Sequence, residues 1–403
     1  MRMPGEAHAV VRRTHQERVL RALRERGALS RGEIADAVGL SRTTISEITR
    51  DLLRDGAVVV VDTDAAQRAG SGRPAERLAL DPDSGQFLGV DFGHRRVRVA
   101  IADASHEVVA SGGQPYSDSA GWPERIRTAF DLIDRLGDER GLHFRALHGI
   151  GIGVTGPHPR SSAPHAPEGA FGPGFAAARD DVDVAFAERF GASVIVDNNT
   201  RFAALAEALA GDADAENLLY VRLSDGVGGA LVIGGRIVAG ATGLAGELGH
   251  VTVVPGGARC RCGKDGCLET VASVPAVLAA CRERGADVGS LDDLARSRDP
   301  VVERVLRDTA TALGRALGAV AMVFNPAEVV IGGEIARLAP VLVEQVAETA
   351  GRELFPWVAA KPRVRCARLA DDDGALGALA ALFRRSPLLT DHPETAPIRA
   401  LPA

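Results

Sequence analysis

The chain has 403 residues, of which 46% are hydrophobic and 25% charged, which excludes a mainly disordered protein and indicates two or three domains. The formal net charge of −6 divides into +3 over residues 1–80 and −9 over the remainder, a split that favours a polyanion as the partner of the head but that a random fluctuation explains equally well. No apolar run approaches the roughly 18 residues of a membrane span, and residues 1–11 lack the apolar core of a secretory signal, so we expect a cytoplasmic protein without a membrane partner.

Three short helices are predicted at the start of the chain. The first has an apolar face and ends near Gly27. Ser30 and Glu33 form a capping box that begins the second helix, and Ser41 caps the third, which ends at Gly56. Apolar residues recur on one face of the third helix at Ile45, Ile48, Leu52 and Leu53.

Two strands complete this unit. A β-branched run at 58–61 and a second strand at 76–80 flank a loop that is rich in glycine and arginine. Two helices, a tight turn, a third helix and a two-stranded hairpin form the plan of a winged helix-turn-helix, which we assign to residues 1–82.

The third helix has the arrangement that a DNA-recognition helix needs, because its apolar stripe faces inward and polar side chains cover its other faces. Its N-terminal residues would reach base edges in the major groove, and arginine and threonine also contact phosphates. An arginine of the loop would enter a narrow minor groove. The predicted DNA-contacting residues are Arg42, Thr43, Thr44, Ser46, Arg50 and Arg73. The alternative is a helical interaction module with a solvated, charged face.

The body begins at Phe87, and from there strands alternate with helices, which predicts an α/β fold. Residues 157–173 are rich in proline, glycine, serine and histidine, so we expect an irregular loop there. Residues 386–403 are predicted to form a loose tail.

Three of the five cysteines fall within eight residues, close to a histidine. An odd cysteine count without a secretory signal argues against a disulfide framework and for a metal site. Three thiolates and one imidazole suit tetrahedral Zn²⁺, and a site with four protein ligands has a structural role. The predicted zinc ligands are His250, Cys260, Cys262 and Cys267. The alternative is a set of unrelated cysteines.

The same segment resembles the signature of the ROK family, which comprises repressors, open-reading-frame proteins and sugar kinases. That signature is ExGH followed by CxCGxxGCxE, and here it occupies Glu247–His250 and Cys260–Glu269. Three further stretches are similar to the family's first phosphate motif, its catalytic-aspartate segment and its late nucleotide-side motif. They are LGVDFGHRRVRVAIAD, VDNNTRFAALAE and FNPAEVVIGGE. The resemblance spans residues 87–383.

The resemblance implies an actin-like, ribonuclease-H-like body of the sugar-kinase type, with a sugar cleft between two lobes. The lobes would comprise residues 83–200 and 201–385, the second with the zinc loop and with a C-terminal helix that returns to the first lobe. Kinases of the family usually lack a DNA-binding head and its regulators have one, so the resemblance implies a regulator.

Three positions depart from the family's kinase motifs. Asn199 stands where the catalytic aspartate is expected, and an amide cannot accept the proton of the attacking hydroxyl. Arg95 replaces a hydroxyl residue in the first phosphate loop, and Asp225 places a carboxylate where phosphate charge would lie. We therefore predict that the body is not an enzyme.

By resemblance, five residues would line the sugar pocket: Asn198, Asn199, Glu247, His250 and Glu269. Carboxylates and amides suit sugar hydroxyls, and His250 would bind zinc through one nitrogen while the other faces the cleft. Thr155 replaces a proline of the family's GxGxPGP loop, and Gly174–Phe175 stands where an asparagine usually precedes a Gly-Trp pair. These departures leave the identity of the sugar open.

The predicted function is that of a DNA-binding regulator, a repressor by the family's name, that senses a sugar or sugar phosphate. A two-fold arrangement of heads would read two half-sites of duplex DNA, so we expect a homodimer or a dimer of dimers. Two alternatives stay open: a bifunctional ATP-dependent sugar kinase, and a ligand-independent regulator with a relic pocket.

Overall fold

The structure is a computed structural model whose described strands form one three-stranded sheet and two five-stranded sheets. It describes residues 15–16, 18–63, 76–104, 106–117, 119–156, 180–210, 217–357, 360–369 and 373–385. Arg73 with its loop, the loop at 157–173 with Gly174–Phe175, and the tail at 386–403 lie outside the described residues. Within those ranges, no helix combines the length and the apolar character that crossing a membrane requires.

The head contains three helices and a sheet of order β1-β3-β2. These elements are α1 (residues 18–26), β1 (Leu29–Ser30), α2 (Arg31–Val38), α3 (Arg42–Asp55), β2 (Val58–Thr63) and β3 (Glu76–Leu80). The predicted capping box is confirmed, because Ser30 Oγ accepts from the Glu33 N–H and the Glu33 carboxylate accepts from the Ser30 N–H. Ser41 caps α3, and Gly56 ends it in the left-handed conformation.

The buried face of α3 differs from the predicted stripe at two positions. Thr49 is fully buried, whereas Leu53 is only half-buried. The Thr49 hydroxyl donates to the Ile45 carbonyl at 2.8 Å, so its polar atom is satisfied inside the core. The other buried residues of this face are Ile45, Ile48 and Leu52.

The first half of the body is a mixed sheet of order β6-β5-β4-β7-β8. The strands are β4 (Phe87–Phe92), β5 (Arg96–Ala102), β6 (Val108–Pro115), β7 (Gly149–Val154) and β8 (Ser193–Asn198). The strands β4, β7 and β8 run parallel, and β5 is antiparallel to both of its neighbours. The central strands β4 and β7 are buried along their whole length, as expected for strands covered on both faces. Two helices of this half are α4 (Trp122–Arg140) and α5 (Asp180–Phe190).

The second half repeats this plan in a sheet of order β11-β10-β9-β12-β13. Its strands are β9 (Leu218–Leu223), β10 (Val227–Ile233), β11 (Arg236–Ile237), β12 (Glu328–Gly332) and β13 (Arg363–Cys366). Its helices are α7 (Glu269–Ala272), α8 (Val274–Glu283), α9 (Leu291–Arg296), α10 (Pro300–Phe324), α11 (Glu334–Leu338) and α12 (Pro340–Glu353). Two sheets with the same strand order confirm the two-lobed sugar-kinase type of fold.

Two helices lie between the sheets. α6 (Asn199–Leu209) contacts β7 and β8 of the first sheet and β9 and β10 of the second, and α13 (Asp373–Arg385) packs on α6, β4 and β7. Glycine permits this close approach: a Cβ on Gly151 would lie 2.7 Å from the Ala378 carbonyl oxygen, and one on Gly89 would overlap that of Ala375. At these two glycines α13 therefore packs directly on the backbone of the strands and not on side chains.

Two of the polar contacts between the head and the body lie at the ends of the head's elements. Arg24 of α1 donates to the carbonyl of Ala104, in the turn between β5 and β6. Asp81, which follows β3, lies 3.1 Å from Nε2 of His143 and donates its N–H to the Ala57 carbonyl. These contacts fix both the first helix and the end of the wing strand to the first half of the body.

His106 lies in the same β5–β6 turn and is half-buried, with its Nε2 atom enclosed. Its ring stacks on Phe383 of α13, with centroids 3.9 Å apart and an interplanar angle of 13°. Burial, assisted by the charge of Arg24, lowers the pKa of His106 to about 3. The folded protein therefore holds this ring neutral.

We expect acid to weaken the fold through His106. The unfolded chain takes up this proton near pH 6.5 and the folded chain only near pH 3, so the free energy of unfolding falls as the pH is lowered, by roughly 3 kcal/mol at pH 4.5. Urea unfolding at pH 7 and pH 4.5 measures this loss. His106→Asn, which tolerates the positive φ of this position, should show a smaller loss, whereas equal losses in both proteins would refute the assignment.

Candidate nucleic-acid interface, metal centre and effector cleft

On the predicted recognition surface of α3, some side chains are exposed to solvent and others form hydrogen bonds within the helix. Arg42, Thr43 and Arg50 are exposed to solvent. The half-buried hydroxyls of Thr44 and Ser46 serve the helix itself, since Thr44 Oγ1 lies 2.8 Å from Ser41 Oγ and Ser46 Oγ donates to the Arg42 carbonyl at 2.8 Å. Of the predicted DNA-contacting residues on α3, the two arginines are thus the charged groups that are exposed for phosphates or base edges.

The four predicted metal ligands come together in one cluster. The ligand atoms of His250, Cys260, Cys262 and Cys267 all lie within 4.8 Å of one another. Nδ1 of His250 is 3.6 Å from Cys260 Sγ, and the Sγ atoms of Cys262 and Cys267 are also 3.6 Å apart. Thiolates about 2.3 Å from a tetrahedral zinc ion lie roughly 3.8 Å from one another, so the donor set and its spacing fit zinc.

Glycine allows the loop to wrap the cluster. Gly266 has φ +67°, and a Cβ there would overlap the Val254 carbonyl, which leaves no room for a side chain. The Cys260 N–H donates to the Lys264 carbonyl at 2.8 Å and closes the turn between two ligands. Burial raises the pKa of the Cys267 thiol to about 12, and a bound cation is the group that would deprotonate it.

The residues predicted to bind the effector surround the first residues of β10. They are Asn198, Asn199, Glu247, His250 and Glu269. Glu269 Oε2 accepts from the Val227 N–H at 3.1 Å. Gly249, between Glu247 and His250, is so close that a Cβ would overlap the Val227 carbonyl, and a Cβ on Gly228 would overlap Thr200 Oγ1. One hairpin therefore gathers the start of α6, the ExGH segment and Glu269.

Asn198 is largely committed to the fold. Its Oδ1 accepts from the N–H groups of Thr200 (2.8 Å) and Arg201 (3.3 Å), which caps α6. Its Nδ2 donates to the Gly156 carbonyl at 2.7 Å. One N–H of this amide is left over from these bonds for a ligand.

Glu269 has a partner that the sequence did not indicate. Arg261, between two of the cysteines, donates to both carboxylate oxygens at 2.8 Å. The Arg261 side chain is 56% exposed and that of Glu269 only 10%. A sugar hydroxyl that binds Glu269 would therefore share its carboxylate with Arg261 or displace it.

Asn199 forms a buried pair with Asp91, at the end of β4. Nδ2 of Asn199 donates to Oδ1 of Asp91 at 2.9 Å. Burial raises the pKa of Asp91, and a second carboxylate at this distance would repel it. The amide at position 199 donates a hydrogen bond and avoids this repulsion.

Arg222 of β9 provides the positive charge of this buried region. It pairs with Asp373 at the start of α13, and its Nη1 lies 3.9 Å from Asp91 Oδ2. Tyr220 OH donates to the other oxygen of Asp373 at 2.7 Å. Burial raises the pKa of Asp373 to about 6, so the guanidinium is needed to keep this carboxylate ionised at neutral pH.

Two outer ion pairs join the same strand ends. Arg95 and Asp225, each predicted as a departure from a phosphate loop, lie 3.7 Å apart, and Arg96 lies 3.8 Å from Glu334 of α11. The first pair joins the LGVDFGHRRVRVAIAD stretch to the turn before β10, and the second joins it to the FNPAEVVIGGE stretch.

Comparison with known proteins gives two family-level matches. The model of the ROK family matches residues 87–385, and a model of winged helix-turn-helix DNA-binding domains matches residues 12–59. The chain is 26% identical over 393 residues to a putative xylose repressor of Caldicellulosiruptor sp. strain Rt8B.4, covering 93% of this chain and 97% of that protein. It is 31% identical over 315 residues to a glucokinase of Halalkalibacterium halodurans, covering 72% and 93%. The solved structure of a ROK family transcriptional regulator, a homologue of the E. coli MLC protein, matches with a TM-score of 0.65 and 24% identity over 94% of this chain and 98% of that chain.

Proposed function

This chain belongs to the ROK family, and from that premise we propose that it is a DNA-binding repressor whose sugar-kinase-like body senses a sugar or sugar phosphate without phosphorylating it. The observation that carries the proposal is the combination of a winged helix-turn-helix with a body in which Asn199 holds Asp91 through a hydrogen bond of 2.9 Å. The similarity to a putative xylose repressor covers head and body together.

Catalysis lacks its base in this arrangement. A general base must accept the proton of the sugar hydroxyl, and the amide of Asn199 has no site for it. Transferred phosphate also needs positive or neutral loops, whereas Asp225 brings a carboxylate that pairs with Arg95. Both features favour a sensor over a kinase.

The similarity to a glucokinase keeps a bifunctional ATP-dependent sugar kinase as the second candidate. ADP release with D-glucose, D-xylose and N-acetylglucosamine tests it. Turnover that disappears in Asn199→Ala would establish the kinase and overturn the proposed sensor.

Zinc would be held by His250, Cys260, Cys262 and Cys267, with no position left for a substrate. Bound there, the ion supplies charge that keeps the thiolates deprotonated and fixes the loop. His250 would then be oriented through Nδ1, which leaves Nε2 for the effector.

Binding of the effector can change the affinity for DNA only if the effector binds one arrangement of the two heads more tightly than another. We propose a homodimer or a dimer of dimers, because two half-sites require two heads on a two-fold axis. Thermal shift against hexoses, pentoses, amino sugars and their phosphates identifies the effector. An effector that stabilises the protein and weakens DNA binding supports the repressor. Stabilisation by none of them would favour the ligand-independent regulator.

Arg50→Ala is expected to weaken binding to a duplex recovered by in vitro selection and to reduce the salt dependence of the affinity. One lost phosphate contact lowers the slope of log K against log salt by about 0.9. Fluorescence anisotropy between 50 and 200 mM salt measures it. Arg54→Ala is the matched control, because Arg54 lies on the same helix but pairs with Asp51 and Asp55. Equal slopes in all three proteins would exclude Arg50 from the interface.

A further inference from the structure

One end of α13 lies against the candidate effector cleft. Asp373, its first residue, accepts from Tyr220 and Arg222 of β9. Gly374 lies so close to Asp91 that a Cβ would overlap the carboxylate. Asp91 in turn accepts from Asn199. Only Asp91 therefore lies between the start of α13 and Asn199, a residue predicted to bind the effector.

The other end of α13 lies at the junction with the head. Phe383 stacks on His106, and Phe87 meets both rings edge-on, with centroids 5.2 Å away in each case. His106 belongs to the turn whose Ala104 carbonyl accepts from Arg24 of α1. The rise of an α-helix places Gly374 and Phe383 roughly 14 Å apart.

Between its ends α13 has little freedom to adjust. A Cβ on Gly377 would overlap the carbonyl of Phe202 in α6, just as one on Gly89 or Gly151 would meet the backbone of α13. Contacts of backbone on backbone do not absorb a displacement by changing rotamers, because no side chain lies between the partners. A shift at one end of α13 is therefore carried to the other.

We propose that α13 is the transmission element of this protein: it reports the state of the Asn199–Asp91 pair to the DNA-binding head through Phe383, His106 and the Ala104–Arg24 contact. The biological use of this route rests on the proposed function, but the mechanical coupling does not. A coupling route needs an element whose position both sites influence, and α13 touches both.

Hydrogen exchange of the full-length protein tests the coupling without an effector or an operator. Asn199→Asp replaces the donating amide with a second carboxylate, which removes the hydrogen bond to Asp91 and repels it. We expect this change to speed exchange threefold or more both near the cleft and in residues 18–26 of the head. In a Phe383→Leu background the same change should affect the cleft alone. Asn217→Asp is the matched control, an exposed amide that accepts from the Gly234 N–H at 3.0 Å. Faster exchange at the cleft with none in residues 18–26 would overturn the proposal, as would transmission that persists without Phe383.

A second measurement separates this inference from the proposed function. For a sugar that stabilises the wild type, the ratio of operator Kd with and without that sugar is compared in wild type, Phe383→Leu and the control Phe190→Leu. We expect Phe383→Leu to retain the sugar-induced thermal shift, but its ratio of operator Kd values should fall to one. Phe190→Leu should keep both the thermal shift and the wild-type ratio. A ratio of one in the wild type would remove the repressor function and leave the exchange result to decide on α13. If Phe383→Leu showed the same ratio of operator Kd values as the wild type, α13 would be rejected as the route.

Discussion

Cys262→Ser is expected to lower the zinc content from one ion per chain to well below one and to reduce stability by about 4 kcal/mol or more, the range reached when a metal site is lost. Cys262 and Cys267 face each other at 3.6 Å, and a hydroxyl in place of one thiolate is a poor ligand for zinc. For a chain of 403 residues a loss of this size corresponds to a fall of roughly 5 °C in the unfolding midpoint. Atomic absorption and thermal unfolding on the same sample measure both quantities.

The matched control is Cys366→Ser, since Cys366 is also half-buried but lies on β13, away from the cluster. It should retain full zinc and most of its stability. Full zinc in Cys262→Ser would show that Cys262 is not a ligand. Equal loss of stability in both variants would show that the effect belongs to cysteine replacement and not to the metal.

Arg222→Met is expected to cost about 3–5 kcal/mol, because it removes the guanidinium that pairs with the buried carboxylate of Asp373 and lies beside that of Asp91. These side chains are only 1% and 6% exposed. Denaturant unfolding at pH 8 measures the loss. Protonation relieves an unpaired buried carboxylate, so the loss should shrink as the pH is lowered from 8 to 5.

Two further variants define this result. Arg222→Met combined with Asp373→Asn removes both charges and should recover much of the lost stability, since a neutral pair needs no compensation. Arg284→Met breaks an exposed pair with Asp308 (2.7 Å) and should cost no more than about 1 kcal/mol. If Arg222→Met costs no more than Arg284→Met at pH 8, the buried network does not stabilise the fold.

Local patterns were sufficient to predict much of the architecture. The capping box at Ser30 and Glu33 and the strand at 76–80 are as predicted, because caps, turn residues and apolar runs are local signals. The cysteine spacing likewise brought all four candidate ligands together. In each case the information lies within a short segment of chain.

Partners that are distant in sequence could not be predicted in this way. Arg222 and Asp373 are separated by 151 positions, and an arginine inside an apolar strand does not indicate which carboxylate it meets. Arg95 and Asp225 were predicted as two separate losses of phosphate binding, whereas the structure pairs them. Whether the predicted DNA and effector residues bind these ligands remains a prediction for the experiments above.

The placement of α13 also bears on the order in which the newly made chain matures. The head is complete once residues 18–80 have been synthesised, but β4 and β7 must wait for a helix that ends at residue 385. At 5–20 residues per second, synthesis from residue 154 to the end of α13 takes roughly 10–45 s. During that interval the nascent protein carries a finished head and a body whose first sheet is still uncovered on one face.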